Sequence, residues 1–148
     1  HASIPIINGL SDKEHPCQII SDIFTIYELK GCRDLADLKG TKITYVGDGN
    51  NIAHSLILIC ALLGMDIAVA SPKYYEPEKE YVQKGLNLAK ETGARISVTG
   101  DPMAAAANAD HLEISAAGFG GGLVAGGDVT MVTVASPAVA TGLTAGTF

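Results

Sequence analysis

Between residues 42 and 115, short runs rich in β-branched side chains alternate with segments of helical period, and turn or capping residues stand at the boundaries. A strand followed by a helix and then another strand leaves room only for crossover connections, so the strands lie parallel with helices packed over them. Lys42–Val46 is expected to be a strand running into Gly47-Asp48-Gly49-Asn50-Asn51. Ile52–Leu63 is apolar on nearly every side and predicts a deeply buried helix. Asp66–Ala70 reads as a second strand. Pro77–Thr92 reads as an exposed helix, with Pro at its start, Glu80 four residues before Lys84 and Gly93 at its C-cap. Arg95–Thr99 is expected as a third strand, Pro102–Ala109 as a short Ala-rich helix and His111–Ser115 as a fourth strand. Upstream, Ile4–Ile7 predicts a short strand ended by Asn8-Gly9. Pro16–Leu29 predicts a helix, since Ile19, Ile20, Ile23, Phe24, Ile26 and Tyr27 recur at helical spacing before Gly31. The predicted fold class is α/β, a three-layer parallel sheet with flanking helices.

Charge divides the chain. All 10 Lys and Arg, and 15 of the 16 Asp and Glu, precede residue 114; beyond it Asp128 is the one charged side chain. Gly and Ala supply 15 of those last 35 residues, so no amphipathic helix with a charged face fits there, although Val129–Ala135 has the composition of a strand. At 148 residues the length suits one domain, and 47% apolar residues suffice for a core. A net charge of −6, no Trp and 5% aromatics argue against a nucleic-acid partner, which needs a clustered basic face or stacking platforms. The pattern contains no membrane span and no secretory leader, and predicts a soluble cytoplasmic protein. Cys17, Cys32 and Cys60 show no paired spacing and are expected as reduced thiols. The scattered His1, His15, His54 and His111 offer no metal site, and no cofactor is expected.

In an open parallel sheet, ligands gather at the carboxyl ends of the strands, which is where the 47–51 loop falls. Its Gly-Asp-Gly resembles the start of a dinucleotide fingerprint, but Ile52 stands in place of the third Gly, and Ala70-Ser71 stand where a ribose-binding acid belongs. Two readings remain for the loop: a tight strand-to-helix turn with Asn51 as N-cap, or amide and N–H groups that bind a small zwitterion or carboxylate. His15-Pro16-Cys17-Gln18 opens the long helix and likewise has two readings. Imidazole and amide on the first turn suit an anionic or carbonyl ligand; otherwise His15 caps the helix and Gln18 is solvated. Cys17 is either a thiol activated by the helix start or a small buried hydrophobe. His54, three residues beyond Asn51, reads as a packed or capping histidine, and the carboxylates of residues 76–80 as a solvated first turn.

Taken in order, these pieces resemble the ornithine carbamoyltransferases of the aspartate/ornithine carbamoyltransferase family. The series is Ser3-Ile4-Pro5-Ile6-Ile7-Asn8-Gly9-Leu10-Ser11-Asp12, His15-Pro16-Cys17-Gln18, and Gly47-Asp48-Gly49-Asn50-Asn51 with His54-Ser55. It continues with Ala70-Ser71-Pro72-Lys73, Tyr75-Glu76-Pro77, Ala89-Lys90-Glu91-Thr92-Gly93 and Asp101-Pro102, so that order and spacing agree over about residues 2–110. The resemblance implies a Rossmann-like carbamoyltransferase domain. It also implies carbamoyl transfer from carbamoyl phosphate to the δ-amine of ornithine, giving citrulline and phosphate, without metal or organic cofactor. By the same resemblance His15 and Gln18 contact the carbamoyl end of carbamoyl phosphate, Asn51 holds the amino-acid end of ornithine, and subunits form a trimer through the carbamoyl-phosphate domain.

The departures are as specific. A Ser-Thr-Arg-Thr phosphate loop is not found, and in the family it would lie upstream of His1. Ser115 stands where an amine-orienting Asp is expected, and residues 116–122 contain no Ser-Met-Gly. The His-Cys-Leu-Pro motif is missing, and no Arg follows Arg95. The chain also opens without Met. It is therefore expected to be a piece of a longer protein or a truncated half enzyme that catalyses poorly by itself. The expected division is residues 1–31, the end of the carbamoyl-phosphate domain and an interdomain helix; 32–113, an ornithine-binding α/β domain; and 114–148, a divergent Gly/Ala-rich tail. Two alternatives stand beside ornithine carbamoylation: a carbamoyltransferase with another acceptor such as putrescine, and an amino-acid-binding module or non-catalytic relic.

Overall fold

A computed structural model of the chain describes residues 3–115, 123–125, 131–134 and 143–145. Helix α1 (Pro16–Leu29) is followed by a short 3-10 helix (Leu35–Leu38), then β1 (Lys42–Gly47), α2 (Asn51–Leu63), β2 (Asp66–Ala70), α3 (Lys79–Thr92), β3 (Ile96–Thr99), α4 (Pro102–Ala106) and β4 (His111–Ser115). Three further strands follow: β5 (Leu123–Ala125), β6 (Met131–Val134) and β7 (Leu143–Ala145). The main sheet is parallel in the order β3-β2-β1-β4-β6, and β5 pairs with β7 apart from it. The expected α/β class with helices on both faces of a parallel sheet is what the chain adopts.

The period-2 rule sorts the strand residues between two layers. Ile43, Tyr45, Ile67 and Val69 face α1 and α2, where Ile19, Ile23, Ile26, Ala53, Leu56, Ile57 and Cys60 complete the larger core. Val46, Ala68, Ala70, Leu112 and Ile114 meet Ala105 and Ala106 of α4 on the other face. The small side chains let α4 sit close enough for Thr44 Oγ1 to donate to the Ala105 carbonyl at 2.8 Å. At the amino end of β2, buried Asp66 accepts from the Arg95 backbone N–H and from Nε, both at 2.8 Å, and so fixes where β3 begins.

Several boundaries differ from the sequence expectation. Ile4–Ile7 forms no strand: these side chains lie exposed in irregular backbone, with no neighbouring strand to satisfy a ladder. The third helix starts at Lys79 rather than Pro77, the third strand at Ile96 rather than Arg95, and α4 stops at Ala106 rather than Ala109. The strand expected over Val129–Ala135 is described at Met131–Val134, paired with β4. Helix α2 is less enclosed than its sequence predicts. Leu62 is 55% exposed, and Ile59 and Leu63 line an apolar groove of about 530 Å³ together with Ile20, Phe24 and Tyr27 of α1. Among the described residues no helix is long and apolar enough to cross a membrane.

Candidate functional site

Because β1 pairs with β2 on one side and β4 on the other, chain connections diverge at its carboxyl end, where doubly wound sheets bind ligands. The loop leaving β1 is held by its own side chains. Tyr45 Oη donates to the Asp48 carbonyl at 2.9 Å and lies 3.2 Å from Asn50 Oδ1. The cap of α2 is Asn50, one residue before the expected Asn51. Its Oδ1 accepts from the N–H groups of Ile52 (3.0 Å) and Ala53 (3.3 Å). The helix thus begins at Asn51, and that amide is released from capping. Gly49 lies against the 75–77 segment, with its N–H donating to the Tyr75 carbonyl at 2.7 Å.

The polar residues of the first turns of α2 grip a second segment. Asn51 Nδ2 donates to the Ser11 carbonyl at 2.8 Å, His54 Nδ1 lies 3.0 Å from the Lys13 carbonyl, and Ser55 Oγ accepts from the His15 N–H at 2.9 Å. Residues 51, 54 and 55 share one helix face, and Ser11, Lys13 and His15 alternate along the segment, so the contacts form three successive rungs. His15 then caps α1, Nδ1 accepting from the Gln18 N–H at 3.4 Å. An imidazole whose Nδ1 accepts carries its proton on Nε2, so the free edge of neutral His15 is a donor. Gln18 is half-buried rather than fully solvated.

The structure therefore brings the predicted residues together at two adjoining helix N-termini: His15 and Gln18 on α1, Asn51 on α2. Cys17 is not the small buried hydrophobe that a lone cysteine suggests. It is exposed, and its Sγ lies 3.5 Å from the Asn8 carbonyl. The carboxylates of residues 76–80 are exposed as expected, and two of them form surface ion pairs, Glu78 with Lys13 (2.5 Å) and Glu80 with Lys84 (2.7 Å). Sequence reasoning missed the role of Ser55 and the docking of residues 11–15. The signal was available as three polar side chains, Asn51, His54 and Ser55, on one face of an otherwise apolar helix.

Next to the loop, at the ends of β1 and β2, lies a cavity of about 250 Å³ bounded by Val46, Gly47, Ala70, Ser71, Pro72, Gly100 and Pro102. Ser71 is buried and its hydroxyl has no hydrogen-bond partner among the described residues. On the opposite side of the sheet from α4, Glu113 and His111 of β4 are buried without hydrogen-bond partners among the described residues, in register with Tyr45 and Ile43. Burial, reinforced by the charge of Asp22, pushes the Glu113 carboxyl up to about 7, and burial pushes His111 down to about 4.

The family model for the Asp/Orn binding domain of aspartate/ornithine carbamoyltransferases matches residues 39–115, just over half of the chain. The companion carbamoyl-P binding domain model matches residues 1–28. The chain belongs to the aspartate/ornithine carbamoyltransferase family. It is 53% identical over 110 residues to the ornithine carbamoyltransferase of Anoxybacillus flavithermus, covering 74% of this chain and 33% of that one. To the Listeria monocytogenes serotype 4a enzyme it is 52% identical over 112 residues, covering 76% and 34%. Solved ornithine carbamoyltransferases share the fold. That of Gloeobacter violaceus superposes with a TM-score of 0.71 at 45% identity, over 77% of this chain and 38% of its own. That of Pyrococcus furiosus gives 0.72 at 43%, over 78% and 35%. The chain spans about a third of the length of the curated relatives it matches. Within the family's division, the three rungs join the two models: Ser11, Lys13 and His15 fall in the carbamoyl-P part, and Asn51, His54 and Ser55 in the Asp/Orn part.

Proposed function

We propose that this chain supplies the ornithine-binding part of a carbamoyltransferase that moves the carbamoyl group of carbamoyl phosphate to the δ-amine of ornithine, giving citrulline and phosphate. The observation that carries this reading is the rung-like docking of the 11–15 segment on α2, which puts the His15 and Gln18 turn beside the Asn51 turn. In this reading the His15 Nε2–H and the Gln18 amide polarise the carbamoyl carbonyl and stabilise the oxyanion formed when the amine attacks. Asn51, with Nδ2 committed to Ser11, offers Oδ1 to the α-ammonium of ornithine. Holding two substrates at adjoining helix ends lowers the entropy cost of their encounter, and needs no metal. Residues 1–31 then belong to the carbamoyl-phosphate side, 32–113 form the ornithine domain and 114–148 a divergent tail. The protein acts in the cytoplasm, in arginine biosynthesis, as a trimer assembled through the carbamoyl-phosphate domain.

Titration of the 15N-labelled chain with ornithine tests this directly. Saturable shifts centred on the Asn51 side-chain amide, lost in Asn51→Ala, are expected; no shift at millimolar ornithine overturns the assignment. Competition by putrescine, which lacks the α-carboxylate of ornithine, would move the reading to another acceptor amine. A second reading is favoured by Ser115, which occupies the position where the resemblance calls for an amine-orienting Asp. It is an amino-acid-binding module that holds ornithine without transferring to it. Ornithine binding without citrulline formation, when a carbamoyl-phosphate domain is supplied in trans, would select it.

A further inference from the structure

His54 is 2% exposed, and both of its ring nitrogens are in use. Nδ1 sits 3.0 Å from the Lys13 carbonyl, an oxygen that can only accept, so Nδ1 carries the proton. Nε2 accepts from the Glu78 N–H at 3.1 Å, so it carries none. Glu78 is the N-cap residue of α3, a helix whose start has no side-chain cap. One face of the ring stacks on Tyr81, with centroids 4.1 Å apart and planes inclined by 5°. Tyr81 Oη in turn reaches Glu14 Oε1 at 3.3 Å. A single neutral imidazole thus joins three pieces of chain: the 11–15 segment, α2 and the entry to α3.

We propose that His54 is a positioning residue which, as the Nδ1–H tautomer, sets where His15 and Asn51 stand relative to one another. It is the middle rung between Asn51–Ser11 and Ser55–His15, and the one rung whose side chain is also anchored from behind, by Glu78 and Tyr81. The outer rungs come from half-buried Asn51 and from a hydroxyl that can rotate, and neither selects a register alone. The fixed ring does. Charged groups around it are Lys13 and Glu78, paired across the same gap, Glu14 beside Tyr81, and Lys84 with its partner Glu80 over the far face of Tyr81. None of these charged side-chain groups is hydrogen-bonded to the ring nitrogens, which meet the Lys13 and Glu78 backbone instead. A proton added at Nε2 would place one N–H against another at Glu78, so the arrangement requires the neutral ring. The consequence for ligand binding rests on the carbamoyl-transfer reading; the tautomer and the rungs do not.

The test uses the full chain. Long-range 1H–15N correlation of the histidine rings should give His54 a protonated Nδ1 and a bare Nε2, and an Nε2–H ring would overturn the proposal. Hydrogen exchange then reads the rungs. His54→Phe keeps a flat ring on Tyr81 but removes both nitrogens, and exchange of the His15 and Glu78 amides should rise about tenfold or more. His54→Asn restores a donor toward Lys13 and should recover His15 protection alone, while His54→Gln restores an acceptor toward Glu78 and should recover that amide alone. Unchanged exchange in His54→Phe overturns the positioning role. If His54→Phe does not fold, the wild-type tautomer and the Asn and Gln variants still decide. Ornithine titration of the same variants should weaken by about tenfold in His54→Gln and less in His54→Asn. If wild type binds no ornithine, the substrate reading fails while the ring and exchange data still judge His54.

Discussion

A single backbone contact shows how little room the site leaves. A Cβ placed on Gly49 would lie 2.0 Å from the Pro77 nitrogen and 2.5 Å from its Cα, and neither is the end of a flexible side chain. Gly49→Ala should therefore force the 75–77 segment off the loop and cost about 2 kcal/mol or more. That should appear as a fall in Tm of several degrees, at roughly 2–4 °C per kcal/mol for a chain of about 150 residues. A Tm within a degree of wild type would show that the two segments do not pack as described. The sequence already marked this loop as constrained, since two glycines and two asparagines follow a strand. It could not say which asparagine caps, because moving a helix start by one residue exchanges the roles of Asn50 and Asn51, and the choice is settled by Tyr45 reaching over from the strand. Asn50→Ala removes the acceptor for two N–H groups and should cost about 1 kcal/mol, whereas Asn51→Ala should alter ligand binding more than stability.

Elements meet as closely as residues. Gly85 sits where α3 crosses α2 and β3, and a methyl group there would come 2.5 Å from Ile57 Cγ2 and 2.9 Å from Ile96 Cδ1. Alanine in a helix gains about 1 kcal/mol over glycine, but overpacking costs about 1–3 kcal/mol, so Gly85→Ala should destabilise on balance. Combining it with Ile57→Ala should recover part of the loss. Strict additivity of the two changes in urea unfolding would show that the helices can separate at no cost. At this scale the alternation of strands and helices was legible because each buried element has its own period: Asp66–Ala70 and Pro16–Leu29 stand as expected, and the first strand runs one residue past Val46 to Gly47. Ile4–Ile7 misled because an apolar run predicts burial, while strand formation also needs a neighbour to pair with. Ile20, Phe24 and Leu62 misled for a related reason: helical period announces an apolar face without saying what covers it.

For the whole molecule, the two buried titratable groups on β4 make stability depend on pH. Glu113 holds its proton up to about 7 in the folded chain, well above the ordinary carboxyl value of 4.5. Its contribution is therefore fully present below pH 4.5 and is lost as the pH rises toward 7, by about 3 kcal/mol over that interval. His111 runs the other way: lowered from 6.5 to about 4, its contribution is present above pH 6.5 and lost on acidification toward 4. Between pH 4.5 and 6.5 the two slopes oppose and cancel. Glu113→Gln should remove one of them, so the Tm of the variant relative to wild type should climb as pH is raised from 4.5 to 7. A difference that stays constant would mean that water reaches the Glu113 carboxyl. The sheet order has a further consequence, which concerns time. The central strand waits for two partners that both follow it in the chain, and its bond from the Lys42 N–H to Asp110 Oδ2 spans 68 residues. During synthesis β1 can pair with β2 early, but its other edge stays open until residues 111–115 have emerged. The β1–β2 half of the sheet is thus the half that must be kept from sticking to its neighbours the longest.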